Sequence, residues 1–430
     1  MNFVLIWGLF LGLSVTAIPL AFSIGLTPLL FGLMSGKFSL TVIFQSIVSI
    51  NESFTLLALP FFILAGEIMS AGGIGKRITQ FAFALLGWVP GGLALISVVA
   101  SMIFGGISGS AAADAAAVGG VMIPAMIKKG YDKAYAAAVI ASAGTIGVII
   151  PPSIPMVLYA FVSGVSLGDL FMAGIIPGIL VGLSLMVCAF VIALRRGYPT
   201  ESLLSFGEVA RSFLVCLPAL FAPVIILGSI FTGIVTPTEA AVIAVVYAIV
   251  VGRWVYGDLE WRMIPDMLRK TGEMTAVMML IIGAGDALAW VLTVENFSTI
   301  FSQWIVSLAG GKVALLILIN IFLLILGGPM PLAPALLLTT PILLPVVKAV
   351  GVDPLHFGMI VVCNLAISIC SPPVGNTLFI AAKLARVSVE RTSLALVPFI
   401  LINIVTLLLI TYYPPFSLWL PSVLRHSRQG

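Results

Sequence analysis

The chain has 430 residues, of which 61% are hydrophobic and only 8% are charged. Its apolar runs far exceed the roughly 20 residues that cross a bilayer, so a soluble globular protein is excluded and a polytopic all-α membrane protein is predicted. The net charge of +4 comes from loop lysines and arginines, which excludes a basic face for nucleic acid. The four cysteines lack metal-ligand spacing and are expected to be small core residues, and no cofactor is predicted.

The chain begins with Met1-Asn2-Phe3-Val4, which has no basic residues and predicts a retained membrane segment rather than a cleaved signal. Amphipathic sequence at 39–52 and 258–271 predicts helices that lie along the membrane interface, with ordinary loops as the alternative. The predicted apolar segments, in chain order, lie near residues 3–35, 53–72, 78–91, 134–163, 171–194, 213–234, 237–256, 272–292, 355–382 and 393–413.

Two further stretches, residues 93–127 and 313–347, do not fit ordinary membrane spans. Helix-breaking sequence divides each stretch near its middle: GGISGS at 105–110 and GGPMP at 327–331. The resulting arms of about 14 residues, or roughly 20 Å of helix, are too short to cross a core of about 30 Å. We therefore predict two re-entrant hairpins whose tips are buried in protein or line a wet cavity. Two kinked full spans are the alternative.

The second half of the chain repeats the first at a constant offset. Proline, glycine and aspartate recur 221 residues apart: Pro124, Gly130, Asp132, Pro151, Pro152 and Pro177 correspond to Pro345, Gly351, Asp353, Pro372, Pro373 and Pro398. Because proline and glycine determine where helices bend and end, the halves share an architecture. We predict one repeat at 1–212, with its broken helix at about 134–163, and another at 213–430, with its broken helix at about 355–382.

Each hairpin precedes an apolar segment that is interrupted by a double proline. Prolines leave nearby carbonyls without helical partners, and such carbonyls together with hydroxyls can enclose a small cation such as sodium. The predicted sodium ligands are Ser108, Gly109, Ser110, Gly144, Thr145 and Gly147 in the first half, and Gly327, Gly328, Pro329, Ser368 and Ser371 in the second. Free amides at the half-helix N-termini suit a small organic anion. The predicted substrate contacts are Ser110, Pro152, Ser153, Pro331, Pro373 and Asn376.

Charged loops orient the two halves. The loop KKGYDK at 128–133 and the pair Arg195-Arg196 belong in the cytoplasm by the positive-inside rule. The equivalent second loop has only Lys348 with Asp353, whereas Lys383, Arg386 and Arg391 lie one crossing away. The second hairpin is therefore expected to open to the opposite side. Such an inverted repeat allows one pair of sites to be exposed alternately to each face.

These motifs resemble the large membrane subunit of a tripartite ATP-independent periplasmic (TRAP) transporter. The resemblance covers nearly the whole chain through LPFFILAGE at 59–67, GGISGSAAAD at 105–114, IPPS at 150–153, TPTEAA at 236–241 and SPPVG at 371–375. It implies sodium-driven uptake of a C4-dicarboxylate, keto acid or sugar acid across the bacterial inner membrane. It also implies a periplasmic binding protein, a small membrane subunit and an elevator-type movement. More distantly, the chain resembles sodium-coupled dicarboxylate carriers, but it lacks the Ser-Asn-Thr triplet of their hairpins.

An elevator-type movement makes further predictions. The hairpins and broken helices are expected to move as one body, because separating them would leave unpaired polar groups in the membrane. Leu315, Leu316, Leu318 and Ile319 are expected on an outer surface that slides past the scaffold.

Four acidic residues need separate roles. Asp114 lies one turn beyond the first tip, where its carboxylate is expected to cap or neutralise the helix N-terminus, with direct ion binding as the alternative. Glu67 and Asp286 occupy equivalent positions and predict polar contacts between moving and fixed parts. Glu239 ends a TPTE capping-box pattern and is expected to be structural.

An intramembrane protease is the alternative class. GISG at 106–109 resembles the surroundings of a serine nucleophile, and Asp132 and Asp286 resemble the pair of an aspartyl enzyme. A serine enzyme needs a positioned base, yet the only histidines are His356 and His426. An aspartyl enzyme needs two membrane-buried acids in contact, whereas Asp132 lies among lysines in a loop. No enzymatic activity is therefore predicted.

Overall fold

A computed structural model describes residues 2–16, 18–200, 206–297 and 311–429. Its first-half helices are α1 (Asn2–Val15), α2 (Leu20–Ser35), α3 (Leu40–Ser49), α4 (Ala58–Ala71), α5 (Ile74–Leu86), α6 (Gly92–Ser108), α7 (Ala111–Lys128), α8 (Lys133–Ala143), α9 (Ile154–Ser163) and α10 (Leu167–Arg196). The second half contains α11 (Phe206–Phe231), α12 (Pro237–Val250), α13 (Ile264–Val294), α14 (Lys312–Gly327), α15 (Leu332–Ala349), α16 (Pro354–Cys370), α17 (Asn376–Ala385), α18 (Val389–Tyr412) and α19 (Pro415–Gln429).

Seven of the described helices are long and apolar enough to cross a membrane, or up to eight if α4 and α5, which meet at a bend of 63°, form one span. The regular structure in the described ranges is helical, which confirms the predicted all-α class. Cys216, Cys363 and Cys370 are buried and Cys188 is partly buried, as expected for small core residues.

The first hairpin consists of α6 and α7, which are joined by Gly109 and Ser110 alone. Gly109 has a φ of +62°, in the left-handed region that ends many helices, and Ser110 caps α7 by accepting a hydrogen bond from the amide of Ala113 at 3.4 Å. The arms have 17 and 18 residues, so the prediction of about 14 was too short. Gly105 and Gly106 remain helical because the broken helix packs closely against them. At about 26 Å, the arms are close to the thickness of the membrane core, and α7 is one of the seven helices that are long and apolar enough to cross it.

The second hairpin also has two arms joined by a short tip, but its arms contact each other less than those of the first. Its arms, α14 and α15, have 16 and 18 residues, and Pro331 stands at the start of α15. The second broken helix divides between α16 and α17, as the first divides between α8 and α9. In both interruptions the bond between the two prolines is cis. The fold thus contains the two predicted hairpins, each followed by a broken helix.

Two sequence-based segments differ from the structure. The apolar segment predicted at 3–35 is two helices, α1 and α2. The segment predicted as an interfacial helix at 258–271 is not a separate helix, because a short turn at Trp261–Met263 leads directly into the 31-residue α13. The segment 39–52 does contain a helix, α3, and its position along the membrane interface stays a prediction. Arg269 bonds Asp266 at 2.8 Å and Glu273 at 2.7 Å along this helix, which stabilises its polar first turns.

The helices form two groups that meet beside the hairpin tips. One group, here called the scaffold, contains α1–α4 and α11–α13; α4 packs on α12 and α13, and α13 packs on α2. The other, here called the hairpin unit, contains α6–α10 and α14–α19, and α5 packs between α6 and α11. Of the four residues expected on the outer hairpin surface, Leu318 is exposed. The expectation is wrong for the buried Leu315, Leu316 and Ile319, which face into the hairpin unit.

Candidate functional site

A central cavity of about 190 Å³ lies between the two hairpin tips. The first turns of four half-helices reach it: α7, α9, α15 and α17. Scaffold helix α13 also reaches it. The lining residues are Gly109, Ser110, Ala111, Ala112, Val148, Ile154, Pro155, Leu158, Met274, Met278, Pro331, Leu332, Ala333, Ile369 and Asn376. The structure therefore brings together three predicted substrate contacts, Ser110, Pro331 and Asn376. The other three, Pro152, Ser153 and Pro373, are outside this lining.

The four helix N-termini give the cavity its electrostatic character. Amides in the first turn of a helix lack intrahelical partners, and the helix dipole adds partial positive charge at that end. Among the residues that the structure describes, no lysine, arginine or histidine lines the cavity. An anion in this cavity would therefore be held by backbone amides, the Ser110 hydroxyl and the Asn376 side chain rather than by an ion pair.

The first broken helix approaches the first hairpin so closely that only glycine fits. A β-carbon added to Gly105 would lie 2.7 Å from the α-carbon of Gly147, and one added to Gly147 would lie 3.4 Å from the carbonyl oxygen of Ser110. One added to Gly144 would lie 3.2 Å from the carbonyl oxygen of Ala111. The helix also changes to a 3-10 turn at Gly144–Val148. Predicted ligands Ser110, Gly144 and Gly147 therefore lie together.

The other predicted ligands of the first site lie to either side. The hydroxyl of Ser108 accepts a hydrogen bond from the amide of Ser110 at 3.3 Å. The carbonyl of Gly109 accepts a 3.4 Å hydrogen bond from Ile154, beyond the double proline. Thr145 donates to the carbonyl of Ser142 at 2.7 Å. Its side chain lines a separate cavity of about 10 Å³ with the buried Asn403, so only the backbone of Thr145 is available on the tip side.

Asp114 lies inside this contact rather than at a helix cap. It is 0% exposed, and its Oδ2 would be 3.0 Å from a β-carbon on Gly147. Neither carboxylate oxygen makes a hydrogen bond of normal geometry to a described residue, although the Ser101 side chain is close. The expected capping by Asp114 is therefore not observed, because Ser110 performs it. The Asp114 carboxyl group instead lies beside Gly147 and the carbonyl of Ser110.

The second hairpin and broken helix repeat the close contact. A β-carbon on Gly327 would lie 2.5 Å from the β-carbon of Ser368, whose position corresponds to Gly147 at the 221-residue offset. The Ser368 hydroxyl and Asn364 Oδ1 are buried and have no hydrogen-bond partner among the described residues. The Asn364 amide donates to Oδ1 of Asn320 at 2.9 Å.

The remaining predicted ligands of the second site are less enclosed. The Ser371 hydroxyl donates to the carbonyl of Ile367 at 2.9 Å, and a β-carbon on Gly328 would lie 3.6 Å from Pro373. Pro329 is exposed. Sequence reasoning missed Asn320 and Asn364 as members of this site. The sequence did contain a signal for Asn364, because it lies one helical turn before Ser368 and the side-chain oxygens of these two residues therefore share a helix face.

Other polar groups have structural roles. Glu239 accepts hydrogen bonds from the amide of Thr236 at 2.7 Å and closes the predicted capping box. The predicted polar contacts of Glu67 and Asp286 are not found among the described hydrogen bonds and ion pairs; Glu67 is half-buried and Asp286 is exposed. His356 is buried, and its Nδ1 lies 2.6 Å from the Ser417 hydroxyl. It therefore does not act as a base for Ser108.

Comparison with known proteins agrees with this architecture. Residues 7–416 match the family model described as "Tripartite ATP-independent periplasmic transporter, DctM component". The chain belongs to this family of TRAP transporter large permeases, and it is a multi-pass transport protein of the bacterial inner membrane rather than an enzyme.

The relatives share nearly the whole chain. The C4-dicarboxylate TRAP transporter large permease DctM of Vibrio cholerae is 36% identical, covering 98% of this chain and 97% of the relative. The sialic acid permease SiaM of Vibrio cholerae and the 2,3-diketo-L-gulonate permease YiaN of Escherichia coli are each 36% identical, with 96% and 97% covered. The solved Alcanivorax borkumensis YdaH transporter aligns with a TM-score of 0.55 at 15% identity, covering 90% and 89% of the two chains. That likeness concerns the fold alone.

Proposed function

We propose that this permease couples an inward sodium gradient to uptake of a small organic anion. A periplasmic binding protein delivers the anion, and a small membrane subunit braces the scaffold. The observation that carries the proposal is the central cavity, which is bounded by four half-helix N-termini and lies beside two matching hairpin-to-broken-helix contacts. The cavity supplies an anion site. The two contacts supply oxygen-rich positions for small cations.

Sodium is the coupling ion that the chemistry of these contacts favours. Carbonyls of Ser110 and Ala111 meet the 3-10 turn at Gly144–Val148, with Asp114 beside them. In the second half, the unpartnered oxygens of Asn364 and Ser368 face the hairpin. Hard oxygen ligands without sulfur or imidazole suit small hard cations, and unwound carbonyls in broken helices are typical sodium ligands in transporters. The proposed sodium sites therefore consist of the ligands predicted from the sequence, together with Ala111 and Asp114 in the first site and Asn364 in the second.

The substrates named for these relatives are a C4-dicarboxylate, sialic acid and 2,3-diketo-L-gulonate. All are organic anions, which supports the same broad class for this chain. Their family description also names a tripartite, periplasmic system. This supports the binding protein and the small subunit as partners.

Transport proceeds by an elevator-type movement of the hairpin unit against the scaffold. The two groups approach closely at glycines in equivalent places. A β-carbon on Gly66 of α4 would lie 3.1 Å from the carbonyl oxygen of Ser108, and one on Gly285 of α13 would lie 3.7 Å from Leu337. Small residues leave a smooth surface for sliding. The inverted repeats, 1–212 and 213–430, supply one hairpin to each side of the shared substrate cavity.

Uptake in proteoliposomes tests the proposal. The permease and its small subunit are reconstituted, and labelled anion is supplied with its binding protein under an inward sodium gradient. We expect uptake that falls to background when potassium replaces sodium or when the binding protein is omitted. Equal uptake in potassium, or full uptake without the binding protein, would overturn the proposal.

A further inference from the structure

The substrate cavity is polar at one tip and apolar at the other. The first tip offers the Ser110 hydroxyl and the amides at the start of α7. The second tip is built from Gly327-Gly328-Pro329-Met330-Pro331, and its cavity-lining residues are Pro331, Leu332 and Ala333. Pro331 has neither an amide hydrogen nor a hydroxyl, so the second tip offers the amides of Leu332 and Ala333 but no counterpart of the Ser110 hydroxyl. The two halves are therefore unequal as anion sites.

The rest of the wall extends this apolar side. Met274 and Met278 enter from scaffold helix α13, and Leu158 enters from α9. Only Ser110 and Asn376 contribute polar side chains to the lining. Methionine is flexible and adapts to apolar ligands of varied shape. The wall opposite the first tip therefore suits a hydrocarbon group rather than a second charge.

The size of the cavity sets a limit on the ligand. Its volume of about 190 Å³ lies below the roughly 300–1,000 Å³ of sites that hold drug-sized ligands. A nine-carbon sugar acid would extend beyond this space toward the open side of the cavity. Such a ligand would also bury hydroxyl groups against methionine and leucine, where they would lack hydrogen-bond partners.

We propose that the substrate of this permease is a small monocarboxylate with an apolar substituent, such as a branched 2-oxo acid. Its carboxylate binds the first tip and the start of α7, its 2-oxygen accepts from the Asn376 amide, and its tail packs on Met274 and Met278. A dicarboxylate would place its second charge against Met274, Met278 and Leu158, whose side chains offer no hydrogen-bond donor, and desolvating that charge is unfavourable. This inference rests on the proposed function.

The test compares three substrate classes in the reconstituted system with its own binding protein. The probes are 4-methyl-2-oxopentanoate, succinate and gluconate, each supplied under an inward sodium gradient. We expect uptake of the branched 2-oxo acid to exceed that of the other two at least tenfold. A smaller preference, or a preference for succinate or gluconate, overturns this inference and leaves the proposed function standing. Absence of sodium-dependent uptake for every anion, including the ligand found bound to the purified binding protein, contradicts the proposed function itself.

A permease variant separates the cavity from selection by the binding protein. Met278→Ala shortens the apolar wall, whereas Val277→Ala on the same helix changes a residue that is 57% exposed and outside the lining. At a fixed concentration of loaded binding protein, Met278→Ala should lower uptake of 4-methyl-2-oxopentanoate about fivefold and leave pyruvate, which has no tail, within twofold of wild type. The control variant Val277→Ala should leave the uptake rates of both 4-methyl-2-oxopentanoate and pyruvate unchanged. Equal effects on both substrates, or no effect on either, would overturn the placement of the tail.

Discussion

Replacing Gly105 with alanine should disrupt sodium binding much more than it disrupts folding. The new β-carbon would lie 2.7 Å from the α-carbon of Gly147, roughly 0.8 Å below the short end of the optimal carbon–carbon separation. The backbone of α6 fixes the position of the new β-carbon, and the atom that it meets is itself a backbone atom, so no flexible side chain can move aside. The hairpin arm and the 3-10 turn at Gly144–Val148 must therefore separate by a comparable distance. Metal–ligand distances tolerate only about 0.2 Å, so the separation disrupts an ion site that spans both elements.

The energetic balance distinguishes this effect from simple unfolding. Overpacking destabilises by about 1–3 kcal/mol, and replacing a helical glycine with alanine recovers about 1 kcal/mol, so the net loss of stability is modest. We expect the half-saturating sodium concentration to rise at least tenfold in uptake assays with the small subunit and binding protein. Gly120→Ala is the matched control, because Gly120 lies in α7 and no atom lies within 4 Å of its added β-carbon. If both variants titrate alike with sodium, the reasoning about the first site is refuted.

Three further changes test other parts of the account. Ser368→Ala removes a buried hydroxyl without a described partner, so it should raise half-saturating sodium about fivefold without loss of thermal stability; a lower melting temperature with unchanged sodium dependence would contradict this. Asp114→Asn keeps the shape but replaces the carboxyl group beside Gly147 with an amide, and should weaken sodium dependence about tenfold in the same titration, an unchanged curve being the contrary result. A disulfide between cysteines at Gly285 and Leu337, whose β-carbons would be 3.7 Å apart, should block uptake until reduced. A disulfide within the scaffold, between cysteines at Gly25 and Ala284, whose β-carbons would be 3.3 Å apart, should leave uptake unchanged. The reverse pattern would favour a stationary site.

The sequence allowed the hairpins and broken helices to be predicted because proline and glycine act locally. Pro151 and Pro372 interrupt helices whatever surrounds them, and their common offset identified the repeat. The arm lengths were underestimated because Gly105 and Gly106 resemble breakers in sequence. In the folded protein they remain helical, and their missing side chains serve the contact with the broken helix.

The composition of the site was less predictable because it depends on tertiary contacts. Met274 and Met278 lie on a scaffold helix, with no local signal that they reach the central cavity. Asn320 lies in an apolar hairpin arm, and its partnership with Asn364 crosses 44 residues of sequence. Asp114 was expected at a helix cap from its position, whereas burial beside Gly147 gives it a different environment. Local patterns indicate where helices end, but not which faces meet.

The central claim is that anion and sodium cross the membrane together, and direct measurement of sodium flux tests it most clearly. Proteoliposomes that contain the permease and its small subunit receive loaded binding protein and radioactive sodium outside, with no initial sodium gradient. The account predicts that delivery of the anion drives sodium inward, and that Gly105→Ala reduces both fluxes while Gly120→Ala reduces neither. Anion uptake without accompanying sodium entry would contradict it.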